Sequence, residues 1–156
     1  MKKQTVEERF RAKVEKTESC WNWTACKMAN GYGRFAVTAG DTRLAHRVSY
    51  ELANGSIPEG LYVDHICHNR ACVNPKHLRA VTQQQNVENF GGHHARNTSG
   101  ARGVHWSKNA KKWQGLVSYR GRRHAVGYFD SLEEAAEAVK AKRLELHTHN
   151  DLDRAA

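Results

Sequence analysis

The 156-residue sequence contains no apolar run approaching the ~20 residues that a membrane-spanning helix requires. Acidic residues are also in short supply: 16 Asp and Glu face 25 Lys and Arg, a formal net charge of +9. The first lack argues against a membrane partner. The second favours a polyanionic partner, of which nucleic acid is the commonest. The opening Met1-Lys2-Lys3-Gln4-Thr5 leads into a charged amphipathic stretch without an apolar core, so no secretory signal is expected and the location reads as cytoplasmic. Cysteine is sparse, with Cys20, Cys26, Cys67 and Cys72 only. In a reducing compartment, clustered thiols read as metal ligands before disulfides. There is no convincing internal repeat. The length suits one medium domain or two small ones, and small domains bury little apolar surface, so a staple such as zinc fits.

Thr5 and Glu8 form a capping-box pattern, and Val6, Phe10 and Val14 recur at four-residue spacing, which predicts a packing helix over 5–16. Asn30-Gly31-Tyr32-Gly33 reads as a turn feeding a strand at 34–38, and a second helix is expected over about 43–53, closed by Asn54-Gly55. A brief strand, Leu61-Tyr62-Val63, runs into the densest cluster of the chain, Asp64 to Cys72. Thr82 and Gln85 predict the start of a further helix. The Gly/Ser/Asn-rich stretch 91–100 reads as a linker. Beyond it, three short strands (102–107, 113–119, 123–129) and a helix capped by Ser131 form a compact α+β unit.

Two kinds of metal chemistry are written into the middle of the chain. Cys67-x4-Cys72-x4-His77 offers two soft thiolates and an imidazole in one loop, which suits a closed tetrahedral zinc site, and Asn74-Pro75 supplies the turn that returns His77. Either Cys20 or Cys26 can complete it. Asp64 and Asn86 offer hard oxygen ligands, a setting suited to Mg²⁺ or Mn²⁺ shared with phosphate oxygens and water. His65, with an ordinary pKa of about 6.5, can take a proton from an attacking water. Neighbours on a regular strand point to opposite faces, so Asp64 and His65 converge only at a strand end, and the strand is expected to stop at Val63.

Asp64-His65, Cys67-His68-Asn69-x-x-Cys72-x-Asn74-Pro75-x-His77-Leu78 and Asn86 together resemble the HNH endonucleases. The similarity is greatest to the phage homing-type enzymes and the His-Cys box enzymes of the ββα-metal class. It extends upstream through Cys20-Trp21-x-Trp23, Gly31-Tyr32-Gly33, Ala45-His46-Arg47 and Ile57-Pro58-Glu59-Gly60, about half of the chain. The resemblance implies His65 as general base, and Asp64 and Asn86 on the catalytic metal. It places Cys20, Cys67, Cys72 and His77 on structural zinc, and Arg47 near the scissile phosphate. The chain departs from the letters H-N-H: its first position is the Asp-His pair and its last is Asn86. Asn89, one turn on, is the rival ligand. Cys26 falls outside the pattern and reads as a free thiol.

From Arg102 to Phe129 there are seven basic residues and no acidic one, with Trp106, Trp113 and Tyr119 interleaved, whereas the next helix carries Glu133, Glu134, Glu137 and Glu145. A basic sheet face of this kind can enter a DNA groove. Arg102-Gly103-Val104, Trp113, Gly127-Tyr128-Phe129 and Glu134-Ala135-Ala136-x-Ala138 resemble the plant ethylene-response-factor (Apetala-type) DNA-binding domain. That resemblance implies DNA contacts from Arg102, His105, Lys108, Ser118, Arg120 and Arg123. The fold expected is α+β: a zinc-stapled ββα-metal (HNH) domain with its N-terminal helix over 1–90, the linker, and a three-stranded antiparallel sheet packed on one helix over 101–150. The function expected is metal-dependent cutting of double-stranded DNA, in the cytoplasm of a host cell, to 5′-phosphate and 3′-hydroxyl ends. A zinc-containing DNA-binding regulator without cleavage is the alternative, and RNA is a second substrate class. No dimer signature is present, so monomer and homodimer stay open.

Overall fold

The computed structural model describes residues 4–91 and 97–155, so half of the expected 91–100 linker (92–96) lies outside the described residues. Two compact units result, Met1–Gln83 and Gln84–Ala156. The whole is mixed α+β with small antiparallel sheets. Among the described residues, no helix is long and apolar enough to cross a membrane.

Unit 1 opens with α1 (Val6–Arg11), closed at its start by the expected box: Glu8 N donates to Thr5 Oγ1 at 3.2 Å and Thr5 N to Glu8 Oε2 at 2.8 Å. The helix is shorter than the spacing predicts. Val14–Lys16 forms strand β1 instead, paired antiparallel with β2 (Trp21–Trp23). The Lys13 carbonyl, which a longer helix would need, accepts from Thr24 N and Thr24 Oγ1, both at 3.0 Å. Tertiary pairing therefore wins over local periodicity. Strands β3 (Arg34–Thr38) and β4 (Asp41–Leu44) form a second hairpin that leads directly into α2 (Ala45–Asn54). The third hairpin is β5 (Tyr62–His65) with β6 (Leu78–Val81), joined by the loop that carries Cys67, Cys72 and His77.

The first two hairpins, with α1 and α2, are held by a small aromatic core. Phe10, Trp23, Phe35, Ala45, Val48 and Val73 are buried together. Phe10 and Trp23 each meet Phe35 edge-on, at 5.2 and 5.7 Å between centroids. Gly33 lies against this core because nothing larger fits: a Cβ there would sit 2.5 Å from Trp23 Cδ1.

Unit 2 contains α3 (Gln83–Glu88, all but its first residue), a sheet in the order β7 (Val104–Ser107), β8 (Lys112–Tyr119), β9 (Arg122–Phe129), then α4 (Leu132–Leu146) and α5 (Asp151–Ala155). Val104, Val117, Ala135 and Val139 form its core between sheet and α4. Ser131 caps α4, its hydroxyl accepting from Glu134 N at 3.1 Å. Gly103, at φ +81, lets α4 close on the sheet, since a Cβ there would meet Val139 Cγ1 of α4 at 2.9 Å as well as Leu116 O of β8 at 2.5 Å. Helix α5 lies beyond the last element the sequence pattern predicts.

Candidate metal centre and active site

The loop between β5 and β6 is folded by its own side chains. Asn74 Oδ1 accepts from Lys76 N at 3.1 Å, Pro75 opens a single 3-10 turn to His77, and Asn74 Nδ2 donates to Ser19 O at 2.9 Å. Strand β2 lies alongside, with Trp23 N donating to Ala71 O at 2.9 Å and Val73 N to Trp21 O at 2.7 Å. That pairing carries Cys20 to the loop. The ligand atoms of Cys20, Cys67, Cys72 and His77 all lie within 4.8 Å of one another. His77 Nδ1 is 3.7 Å from Cys20 Sγ and 3.6 Å from Cys72 Sγ. For Zn–S near 2.3 Å and Zn–N near 2.0–2.1 Å, a regular tetrahedron has an S···N edge of about 3.6 Å. The group therefore fits a tetrahedral cation in both chemistry and size. Hydrogen bonding between the thiols pulls Cys72 down to about 4 and pushes Cys67 up, the sharing of one proton that a bound cation would replace. Of the two open fourth ligands, the structure brings Cys20 to the cluster, while Cys26 is an exposed free thiol.

Beside this cluster stand Asp64 and His65. Strand β5 runs through His65, two residues beyond the expected end at Val63, and its register with β6 is unbroken: Asp64 opposes Arg79 and His65 opposes Leu78. The two side chains part accordingly. Buried Asp64 accepts from Arg79 Nε at 3.2 Å and Nη2 at 3.0 Å, both on Oδ2. His65 is buried, and its Nε2–H donates to Cys72 O at 3.0 Å. This assigns the proton to Nε2 and makes Nδ1 the lone-pair nitrogen. Burial lowers the His65 pKa, opposed by its bond to Cys72 O.

Helix α2 adds His46, buried, with its ring 4.7 Å from that of His65 and 5.2 Å from that of Tyr32. Its Nδ1 has no hydrogen-bond partner among the described residues. Burial first, then the charges of His65 and Arg47, push its pKa down to about 3. Arg47 is half-buried on the same helix and, among the described residues, has neither an ion-pair nor a hydrogen-bond partner. The sequence reading did not single out Arg79 or His46 as site residues. Pairing the strands through His65 and Leu78 would have placed Arg79 opposite Asp64, and His46 lay unused in the Ala45-His46-Arg47 motif.

The other site residues belong to unit 2. Asn86 is half-buried in α3, while Asn89, just past it, is buried and accepts from Asp151 N at 3.3 Å. His105, Ser118 and Arg123 are exposed, Ser118 opposes Arg123 across β8 and β9, and His105 opposes Gln114, bonding to its Oε1 at 2.9 Å. Alternation puts these on the sheet face opposite α4. Lys108 and Arg120 are exposed in the two turns, Arg120 at φ 49 and 5.1 Å from the Tyr119 ring centroid. Arg102 is placed differently: its guanidinium donates to the carbonyls of Phe90, Glu88 and Val87.

Residues 43–88 match the HNH endonuclease family. Protein 3.8 of Escherichia phage T7 is 37% identical over 102 residues, covering 65% of this chain and 83% of that protein. Protein 7.7 of the same phage is 42% identical over 73 residues, 47% of this chain and 55% of its own length. No solved structure matches the chain. The matched stretch holds Arg47, Asp64, His65, the zinc-type loop and Asn86, and the chain accordingly belongs to the family of phage proteins that includes T7 Protein 3.8 and carries an HNH endonuclease domain.

Proposed function

We propose that the protein is a metal-dependent DNA endonuclease of the homing type its sequence resembles, acting on double-stranded DNA in a phage-infected cell. It hydrolyses phosphodiester bonds to 5′-phosphate and 3′-hydroxyl ends. Residues 1–90 form the nuclease domain, with β5, β6 and α3 as its ββα-metal motif. A linker over 91–100 leads to a DNA-binding module of the ethylene-response-factor type over 101–150. The observation that carries this reading is His65, a buried histidine whose tautomer is set by the Cys72 carbonyl, next to a carboxylate held by Arg79.

Each residue then has a task. His65 Nδ1 takes the proton from the attacking water, and the Cys72 carbonyl keeps its ring and tautomer fixed. Arg79 orients the Asp64 carboxylate. Arg47, a cation with no ion-pair partner among the described residues, meets a non-bridging phosphate oxygen. Cys20, Cys67, Cys72 and His77 hold structural Zn²⁺, which fixes the loop and thereby the carbonyl that orients His65. Asp64 and Asn86 would hold Mg²⁺ or Mn²⁺, which supplies charge stabilisation to the phosphoryl and departing 3′ oxygens. Asn86 is preferred to Asn89 because the Asn89 amide oxygen already accepts from Asp151 N. In the second module His105, Ser118 and Arg123 face the groove and Lys108 and Arg120 meet phosphates.

Cleavage of supercoiled and linear DNA with Mg²⁺ tests the proposal. His65→Ala, at wild-type zinc content, is expected to lose ~10²- to 10⁴-fold in rate with DNA affinity kept. A wild-type protein that binds DNA yet never cuts with any divalent ion would instead be a zinc-containing regulator. Faster cutting of matched RNA would change the substrate class.

A further inference from the structure

Helix α3 has six residues, and isolated helices shorter than ~12 residues are marginal in water. Its neighbours must therefore define its pose, and within unit 2 the anchors are visible. Glu88, the last residue of the helix, is only 4% exposed. Its Oε2 accepts from Thr148 N at 2.9 Å, Thr148 Oγ1 at 3.3 Å and His149 N at 3.2 Å. Its Oε1 accepts from Gln84 Nε2 at 3.0 Å, which ties the first turn of the helix to the same carboxylate. A buried carboxylate is costly unless its lone pairs are filled, and here they are filled mainly from the connection between α4 and α5.

The carbonyl end is held from the same module. Arg102 donates to Phe90 O, to Glu88 O at 3.2 Å and to Val87 O at 3.4 Å, which satisfies acceptors that a helix C-terminus leaves open. Arg102 is itself fixed, because its carbonyl accepts from Arg143 Nη1 at 2.8 Å while Arg143 pairs with Asp153 at 2.6 Å. A planar fork suits three carbonyls in a way a lysine ammonium does not.

We propose that Glu88 and Arg102 are positioning residues that fasten α3, and with it the Asn86 amide oxygen, to the C-terminal module. The module thus sets a metal ligand as well as contacting DNA, and Arg102 serves the helix rather than the groove. This inference rests on Asn86 as a metal ligand, as proposed above.

The test uses the full zinc-loaded chain with three variants, Glu88→Gln, Arg102→Lys and Asn86→Ala. Amide exchange over 83–90 is read without DNA, DNA affinity is read in Ca²⁺, and cleavage is titrated with Mg²⁺. Glu88→Gln and Arg102→Lys are expected to speed α3 exchange and to raise the Mg²⁺ half-saturation by ~10-fold, as loss of a ligand's supporting contacts commonly does. The rate at saturating Mg²⁺ and the Kd for DNA should stay near wild type. Arg102→Lys keeps the charge, so a pure phosphate contact would leave α3 exchange unchanged. If Glu88→Gln lowers the melting temperature of the whole unit, Arg102→Lys carries the comparison. Wild-type exchange and Mg²⁺ dependence in both variants, with Asn86→Ala inactive, would overturn the anchoring proposal alone. Wild-type cutting by Asn86→Ala would instead remove the ligand assignment, and with it the link from anchor to metal.

Discussion

Stripping the cation from the Cys20–Cys67–Cys72–His77 cluster, by a strong chelator or by Cys72→Ser, should unfold unit 1 and spare unit 2. Unit 1 spans Met1–Gln83, and at ~0.05–0.15 kcal/mol per residue a domain of that length holds about 4 to 12 kcal/mol. Structural zinc in small domains contributes roughly 10 to 16 kcal/mol at neutral pH. The cation is therefore expected to supply the whole margin or more. The architecture agrees, since the main core cluster has six buried residues, and the β5–β6 hairpin adds only Val63, Leu78 and Val81 among the described residues. Trp23 has no solvent exposure and reports on that core, whereas in unit 2 Trp106 is 48% exposed and Trp113 packs against a different core. Thermal melts followed by tryptophan fluorescence and far-ultraviolet circular dichroism should show the unit 1 signal already lost at 25 °C without zinc. Stoichiometric Zn²⁺ should restore it, and the unit 2 sheet should melt as before. A chain verified metal-free by native mass spectrometry that keeps its Trp23 emission and its transition would refute the reasoning.

Three further outcomes are expected. His46 is neutral when folded, its pKa pushed down to about 3, but titrates at its ordinary value when unfolded, so the unfolded chain binds the proton first. Stability should therefore fall as pH drops below about 6.5, by up to ~1.4 kcal/mol per pH unit; urea unfolding should show that slope missing in His46→Phe, and parallel curves would contradict it. Gly33→Ala should destabilise unit 1 by about 1 to 3 kcal/mol through overpacking, because the new Cβ would lie 2.5 Å from Trp23 Cδ1; an unshifted melt would show that the core yields. Replacing Lys108, Arg120 and Arg123 by Gln together should cut the salt slope of DNA binding by roughly 2 to 3, measured by anisotropy, and an unchanged slope would take these three residues out of the interface.

The parts most legible in the sequence were those whose chemistry is local. The Thr5–Glu8 box, the Ser131 cap and the Asn74-Pro75 turn appear as expected because each is settled by side chains three or fewer residues apart. The choice between Cys20 and Cys26 was open from spacing alone, since it depends on β2 pairing with residues 71–73, a contact about fifty residues long in sequence. The same kind of long-range pairing turned Val14–Lys16 from helix to strand. His46 was hidden because a buried histidine on an amphipathic helix has no signature until its neighbours are known. Arg102, which the ethylene-response-factor resemblance places among the DNA contacts, has three backbone carbonyls in front of its guanidinium, a placement that only the fold shows.

The Cys72 backbone carbonyl that holds His65 belongs to one of the four clustered ligands. Hairpin connections are usually where a protein tolerates insertions and drift most readily. Here the connection between β5 and β6 carries three of the four clustered ligands and the carbonyl bonded to His65, so a change in its length would move the cluster and His65 together. On the function proposed above, loss of the cation from this cluster would release His65 as well, so that occupancy of one metal site would govern chemistry at the other.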